Sequence, residues 1–424
     1  MKNNKLKKGG TGTLLKIAFR NIWRNKRRTV FSLSSAGISV FIFIVLMSFD
    51  DGQTKCIYDT VQIYEEGHVK IVSAQYEAEN GYLPVQYPVS GGKNWKELAA
   101  SIYTISGVRA VLPRISSIAT LQESTIKHAI LWGLDIQAEM HANHFNLADR
   151  NSDLKEGHWP ESGANECAIG VIFAKKSGLS IGDSILLKTV SAQYSDKMWN
   201  PVITGIFNFD FSKYDEQYII VDFERLQRLL VLEDGTQSLM IFADDEKQSP
   251  FIAASVKNIL GQDNVVIDWN ESPLVAAIKV NKFLYIIAYL VFLIVTSFLI
   301  INTMVMIINE RIKETGMMGC LGMTRAEIVT VFFFESVFLV ALGAFSGVIA
   351  GGTLSGILTN FPFRMNDAYG NTYSGVPVSN TIFFQFSISR MAQAWLMGVV
   401  VCSIFTLVPT LKSAFVEPIE ALRR

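Results

Sequence analysis

The sequence predicts an α-helical membrane protein with four transmembrane helices and a large α+β extracytoplasmic domain between the first and second helices. Two observations lead to this fold class. Half of the 424 residues are hydrophobic and only 18% are charged, a composition too apolar for an ordinary soluble protein. The apolar residues are concentrated in separate runs, and about 230 residues of mixed character lie between the first run and the second.

Four stretches approach the roughly 20 apolar residues that a spanning helix needs. They are residues 30–49, 283–308, 328–358 and 394–411. The first two contain no charged residue, whereas the third contains Glu335 and the fourth contains Pro409. A carboxylate within a span is a functional candidate, but a position near the membrane surface or a hydrogen bond to a neighbouring helix is the simpler expectation for Glu335.

The charges that flank the spans predict the orientation of the chain. Residues 1–29 carry six Lys, four Arg and no acidic residue, and Lys and Arg favour the cytoplasmic side. Segments 1–29, 309–327 and 412–424 are therefore expected in the cytoplasm. The domain 50–282 and the loop 359–393 are expected outside.

Two patterns predict helix surfaces. Ahead of the first span, Lys16, Arg20, Arg24 and Arg27 share one helical face, as in an amphipathic helix on the inner membrane surface; simple positive-inside anchoring would use the same residues. In the third span, small residues recur every four positions and allow another helix to approach closely, within this chain or in a second one. They are Gly343, Gly347, Gly351 and Ser355.

The outer domain alternates short β-rich runs with helical patterns. "QYIIVDF" and "SLMIFAD" are typical of strands, whereas "NWKELAASIYTI", "ECAIGVIFAKKSGL" and "DFERLQRLLVL" are typical of helices. Cys56 and Cys167 fall in this domain without any regular cysteine spacing, so two unpaired thiols are favoured over a disulfide. A net charge of zero gives no indication of a nucleic-acid partner. The motifs HExxH, GxSxG and GxxxxGK[ST] are missing, so neither a metal site nor an enzyme is predicted.

The layout of the chain resembles the FtsX/MacB/Lol superfamily of ABC-transporter permeases. "AFRNIWRNKRRTVFSLSSAGISV" resembles the entry to the family's first span, "NERIKETGMMGCLGMTRAEIVTVFFFES" its signature loop, and "VPTLKSAFVEPIEALRR" its C-terminal ending. Residues 133–209 resemble the MacB-type periplasmic core. The resemblance implies a permease in the inner (cytoplasmic) membrane that forms a dimer with a like or unlike chain. It also implies a separate ABC ATPase dimer that binds ATP and Mg, with no cofactor on this chain.

By this resemblance, the loop 309–327 docks into the ATPase and couples its motion to the spans. Charged, methionine-rich and glycine-rich positions suit such docking. The residues assigned to coupling are Glu310, Arg311, Lys313, Glu314, Gly316, Met317, Met318, Leu321, Gly322 and Met323.

The resemblance is nearest to Lol-type permeases, which release lipoproteins from the membrane to a periplasmic carrier. Residues 191–200 would form the hook that recruits the carrier, with Tyr194, Met198 and an exposed Trp199 as contacts; a plain hairpin with Trp199 packed onto the domain is the alternative. Cargo would enter between the first two spans. The residues expected to line that entry are Val40, Phe43, Met47, Leu290 and Ile294. A MacB-like efflux or mechanotransmission permease, an FtsX-like regulator of cell-wall hydrolases and a receptor-like sensor remain alternatives.

Overall fold

A computed structural model describes residues 12, 16, 18–20, 26–89, 94–122, 126–142, 154–260, 263–310, 317–318, 322–361, 363–364 and 381–413. The chain divides into two compact units. We call residues 1–53, 280–363 and 383–424 the helical unit, and residues 54–279 and 364–382 the sheet domain.

The described helices and strands follow in chain order. The helices are α1 (Lys26–Thr60), α2 (Ala74–Ala78), α3 (Trp95–Tyr103), α4 (Ile136–His141), α5 (Val171–Ser177), α6 (Ser212–Gln217), α7 (Phe223–Leu230), α8 (Ser249–Ile259), α9 (Pro273–Glu310), α10 (Arg325–Asn360) and α11 (Ile388–Ser413). The strands are β1 (Val69–Ser73), β2 (Val108–Leu121), β3 (His128–Leu134), β4 (Leu154–Gly157), β5 (Glu166–Gly170), β6 (Leu187–Val190), β7 (Asp196–Trp199), β8 (Val202–Phe207), β9 (Tyr218–Asp222), β10 (Ser238–Ala243), β11 (Asn264–Asp268), β12 (Phe363–Arg364) and β13 (Thr381–Ile382).

Four helices are long and apolar enough to cross a membrane, namely α1, α9, α10 and α11. Each predicted span lies inside one of them. The helices extend beyond the apolar runs. Helix α10, for example, begins after Thr324, whose side chain caps it by accepting from the Glu327 backbone N–H. The predicted fold class is confirmed, since a mixed α/β domain lies between the first and second of these helices.

The sheet domain is built on one sheet of eleven strands. The strand order is β11-β1-β10-β2-β3-β9-β5-β8-β4, and β6 pairs with both β2 and β7. The β3–β9 and β5–β8 pairs are parallel, whereas the pairs made by β1 and β2 are antiparallel. Helices α5 and α7 cover one part of the sheet, and α3 and α8 cover another. The domain is therefore of the α+β type that the alternating patterns predicted.

Local sequence explains where several helices begin and end. The Asn94 side chain caps α3 by accepting from the Lys96 N–H, and the Asp222 side chain caps α7 by accepting from the Arg225 N–H. Helix α5 ends at Gly178, whose φ of +73° suits glycine.

The helix predicted for "ECAIGVIFAKKSGL" is half wrong. Its first five residues form β5, between β8 and β9, and the helix starts only at Val171. Cys167, Ala168 and Ile169 are fully buried there. A continuous apolar run fits a strand buried on both faces as well as it fits a helix, so periodicity could not separate the two.

The segment ahead of α1 is described at only a few positions. Ala18 is buried against Val331 of α10, and the Phe19 ring lies 5.9 Å from that of Phe338. Apolar residues of this segment thus pack on the helical unit. Arg24, on the predicted cationic face, lies outside the described residues.

Candidate functional site

The small-residue stripe of α10 packs against α1. The stripe consists of Gly343, Gly347, Gly351 and Ser355. All four residues are buried. A Cβ atom at Gly347 would lie 2.3 Å from the carbonyl oxygen of Gly37, and one at Gly343 would lie 2.7 Å from that of Leu33. The two backbones approach so closely that no side chain fits between them. The sequence left open whether the partner helix belongs to this chain or to a second one. In the described structure, the stripe packs on α1 of the same chain.

The structure does not bring the five predicted entry residues together. They are Val40, Phe43 and Met47 on α1, and Leu290 and Ile294 on α9. The Phe43 ring stacks on that of Tyr289, with centroids 3.2 Å apart, and Leu293 packs beside them. Leu290 and Ile294 are instead 38% and 40% exposed. Tyr289 and Leu293 each lie one position before a predicted residue, and successive residues of a helix point about 100° apart. Helix α9 therefore meets α1 with the face next to the predicted one.

Three charged residues join the helical unit just beyond the apolar runs. Arg390 donates from Nε to Oδ2 of Asp51 at 2.9 Å and from Nη2 to Oδ1 at 3.0 Å. The Lys282 ammonium lies 4.0 Å from the same carboxylate. This cluster connects α1, α9 and α11. The only sequence signal was that each of these charges stands next to a predicted span.

Half of the predicted coupling residues lie outside the described residues. These are Arg311, Lys313, Glu314, Gly316 and Leu321. The described ones are Glu310, Met317, Met318, Gly322 and Met323. Met317 is exposed, and Gly322 has a φ of +94° with open space around its Cβ position. Two residues further on, Thr324 donates its backbone N–H to Glu327 Oε2 at 2.8 Å. The loop thus ends in a capping box that fixes the start of α10.

A buried arginine that sequence reasoning missed fixes the end of the helical segment that continues α1. Arg114, on β2, donates to Oε1 of Glu139 from Nε at 2.8 Å, and to Oε2 from Nη2 at 3.2 Å. It also donates to the carbonyl oxygens of Tyr64 and Ile63 at 3.0 and 2.8 Å. Its guanidinium lies 5.3 Å from the Trp132 ring centroid. We call this group the Arg114 anchor.

Burial controls the electrostatics of the Arg114 anchor. The side chains of Arg114 and Glu139 are both 1% exposed. Burial raises the pKa of the Glu139 carboxyl above its ordinary value, and Arg114 acts against that rise. An ion pair so far from water stabilises the fold only while both partners are present.

Aromatic packing supports the same turn. Residues Val61–Glu65 form a π-helical turn that directly follows α1. The Tyr64 ring lies 5.0 Å from that of Phe209 and 4.9 Å from that of Tyr214. The Tyr214 hydroxyl donates to Glu65 Oε1 at 2.7 Å, and Lys213 pairs with the same carboxylate. The turn is therefore held by its backbone and by two of its side chains.

The predicted hook is a two-stranded hairpin of β6 and β7 with its turn at residues 191–195. Tyr194 in the turn is 71% exposed and Met198 is 57% exposed. Trp199 is only 5% exposed, and its indole N–H donates to Asn165 Oδ1. The prediction of an exposed Trp199 at the tip was wrong. Successive residues of a strand point to opposite faces, so an exposed Met198 places its neighbour in the core, opposite Leu187.

The two cysteines of the sheet domain are not joined by a disulfide. Cys167 is buried in β5, and Cys56 in α1 is half-buried. The prediction that this pair forms no disulfide is confirmed.

The order of the elements is that of a multi-pass membrane protein. One candidate spanning helix, a large mixed domain and three further candidate spanning helices follow one another along the described chain. Residues 286–418 match the family of the FtsX-like permease C-terminal domain. Residues 286–418 therefore form an FtsX-like permease domain, as the resemblance predicted.

Relatives of this chain are permeases. It is 21% identical to the lipoprotein-releasing system transmembrane protein LolC of Xylella fastidiosa (strain Temecula1), over 78% of this chain and 81% of that protein. It is 22% identical to the uncharacterized ABC transporter permease MJ1507 of Methanocaldococcus jannaschii, over 97% of each. Among solved structures, the periplasmic region of MacB from Actinobacillus actinomycetemcomitans aligns with a TM-score of 0.32 at 10% identity, over 48% of this chain and 88% of that one.

Proposed function

We propose that this chain is the permease subunit of a lipoprotein-releasing ABC transporter. It couples ATP hydrolysis on a separate ATPase dimer to motion of the sheet domain, and it works beside a second permease chain, like or unlike. The observation that carries the proposal is the similarity to LolC over about four fifths of both chains. Both termini and the loop 309–327 face the cytoplasm, and the sheet domain faces outward, where the cargo is handed to a soluble carrier.

Coupling requires a contact that transmits force through the membrane boundary. The loop after α9 offers charged side chains for docking, and the capping box at Thr324 ties the loop to α10. A pull on the loop is thereby passed to a spanning helix. We assign the coupling contact to the loop on this basis.

The double variant Glu310→Lys/Glu314→Lys should abolish ATP-driven release of a lipidated reporter protein from proteoliposomes that contain the permease and its ATPase. Release should fall by at least about tenfold, because reversing charges at a docked interface costs on the order of 2 kcal/mol. ATPase copurification should fall with it.

A matched double reversal tests whether this loss is local. Glu156→Lys/Glu161→Lys changes two exposed glutamates of the sheet domain and should leave release unchanged. Release of the reporter protein at the wild-type level by the loop variant would contradict the assignment of coupling to this loop. If the wild-type assembly releases no lipoprotein, the cargo assignment is wrong. Activation of a cell-wall hydrolase would then favour the FtsX-like regulator, and export of a drug would favour the MacB-like efflux permease.

The β6–β7 hairpin is the proposed carrier contact. With Trp199 in the core, the available side chains are Tyr194 and Met198, and an exposed aromatic residue is a common binding anchor. Tyr194→Ala/Met198→Ala should reduce capture of a soluble lipoprotein carrier by about tenfold. Tyr103→Ala, which removes an exposed tyrosine elsewhere in the domain, should not. Equal capture by both variants would end the hook hypothesis.

A further inference from the structure

A cavity of about 770 Å³ lies at one end of the sheet in the sheet domain. Strand β11 runs along it, with Val265 and Ile267 among the lining residues. Glu66, directly after the π-helical turn, forms a second wall, and Pro273 and Leu274, the first residues of α9, form a third. We call this cavity the edge groove.

The edge groove runs along the end of a sheet. Strand β11 stands at one end of the strand order and pairs with β1 alone among the described strands. An end strand keeps one row of backbone N–H and C=O groups available for another strand. Extended peptides bind such edges by adding a strand, with pockets for alternate side chains. The geometry thus suits an extended polypeptide better than a compact small molecule.

Apolar and charged groups alternate in the groove. Ile267 lies opposite Lys70, and Val265 lies opposite Val72, so these four residues share one face. The Lys70 ammonium lies 3.3 Å from Glu66 Oε2. Burial lowers the pKa of Lys70, but Glu66, Tyr76 and Glu65 together outweigh it, and the pKa is raised overall. Burial raises the pKa of the Glu66 carboxyl. In the formal charge of the lining, this lysine and this glutamate offset each other.

The remaining charges of the lining favour a positively charged occupant. Besides the pair of Lys70 and Glu66, the lining holds Glu77 and Glu271 against Lys257. The groove therefore carries an excess of one negative charge. A positively charged segment is the complementary occupant.

Two walls of the edge groove belong to segments that continue the first and second spanning helices. Glu66 follows the end of α1, and Pro273 begins α9. We infer that the edge groove binds an extended, basic segment of the cargo protein, the part that follows its lipid anchor, as an added strand beside β11. This inference rests on the proposed release of lipoproteins, with the lipid leaving the bilayer between α1 and α9.

The test uses the full permease–ATPase assembly in proteoliposomes and two lipidated reporter proteins. One reporter has a Lys-rich linker after its lipidated cysteine, and the other has a Glu-rich linker. A photoreactive benzoylphenylalanine in place of Val265 should cross-link to the Lys-rich linker before ATP is added. The double variant Glu77→Lys/Glu271→Lys should reduce that cross-link by about fivefold. It should also produce a cross-link to the Glu-rich linker, which the wild type does not form.

A control at the other end of the sheet separates a local effect from a general one. Glu156→Lys/Glu161→Lys places the same charge change on and near β4, the opposite end strand, and should leave both cross-links as in the wild type. Normal ATP-driven release without any cross-link from position 265, or without a switch in linker preference, would overturn the groove assignment and leave the proposed function standing. Failure of the wild-type assembly to release either reporter would overturn the proposed function and the groove assignment together.

Discussion

Replacing Arg114 with alanine should destabilise the sheet domain by about 3–5 kcal/mol, because the change leaves the Glu139 carboxylate buried without its cation. The carbonyl groups of Ile63 and Tyr64 lose their guanidinium donors at the same time. Chemical denaturation of the detergent-solubilised chain, followed by tryptophan fluorescence, measures the loss directly.

Two further variants show whether the loss arises from the buried charge. Arg109→Ala removes an exposed arginine from the same strand and should change the unfolding free energy by less than about 0.5 kcal/mol. Arg114→Met/Glu139→Met removes both charges, so it should recover part of the stability that Arg114→Ala loses. If Arg114→Ala and Arg109→Ala unfold at the same denaturant concentration, the Arg114 anchor does not hold the turn.

The variant Gly347→Val should separate α10 from α1. Its Cβ atom would lie 2.3 Å from the Gly37 carbonyl oxygen, which belongs to backbone and cannot rotate away. Forcing extra carbon atoms into a packed interface costs about 1–3 kcal/mol or more. Thermal unfolding in detergent should therefore begin at a lower temperature, and release activity should be lost.

Gly356 provides the matched control on the same helix. A Cβ atom there would meet only the Phe386 ring at 3.6 Å, an ordinary contact. Gly356→Val should therefore melt like the wild type. Equal melting temperatures for the two variants would show that the small-residue stripe is not a tight interface.

Hydropathy predicted the spanning helices because the bilayer acts on each segment locally. A run such as residues 283–308 has to satisfy its own backbone hydrogen bonds within the membrane, whatever the rest of the chain does. Spacing predicted the stripe around Gly347 for a similar reason, since residues four apart share a helical face. The partner helix did not follow from spacing, because that depends on how the four helices are arranged.

The Arg114 anchor could not be found from the sequence. Arg114 lies 25 residues before Glu139 and 50 residues after Tyr64, and nothing in those separations indicates contact.

The predicted exposure of Trp199 was wrong for another reason. Its exposure depends on which face of β7 meets the core, and a shift of one residue reverses that outcome.

The position of β1 in the sheet sets the timing of folding. Residues 69–73 emerge from the ribosome early, yet they lie between β10 and β11, which begin 169 and 195 residues later. Strand β1 must therefore wait unpaired while the rest of the domain is synthesised, and such late closure is slow and prone to aggregation. Nascent chains that stop before residue 238 should need a chaperone, because β1 then has neither of its neighbours.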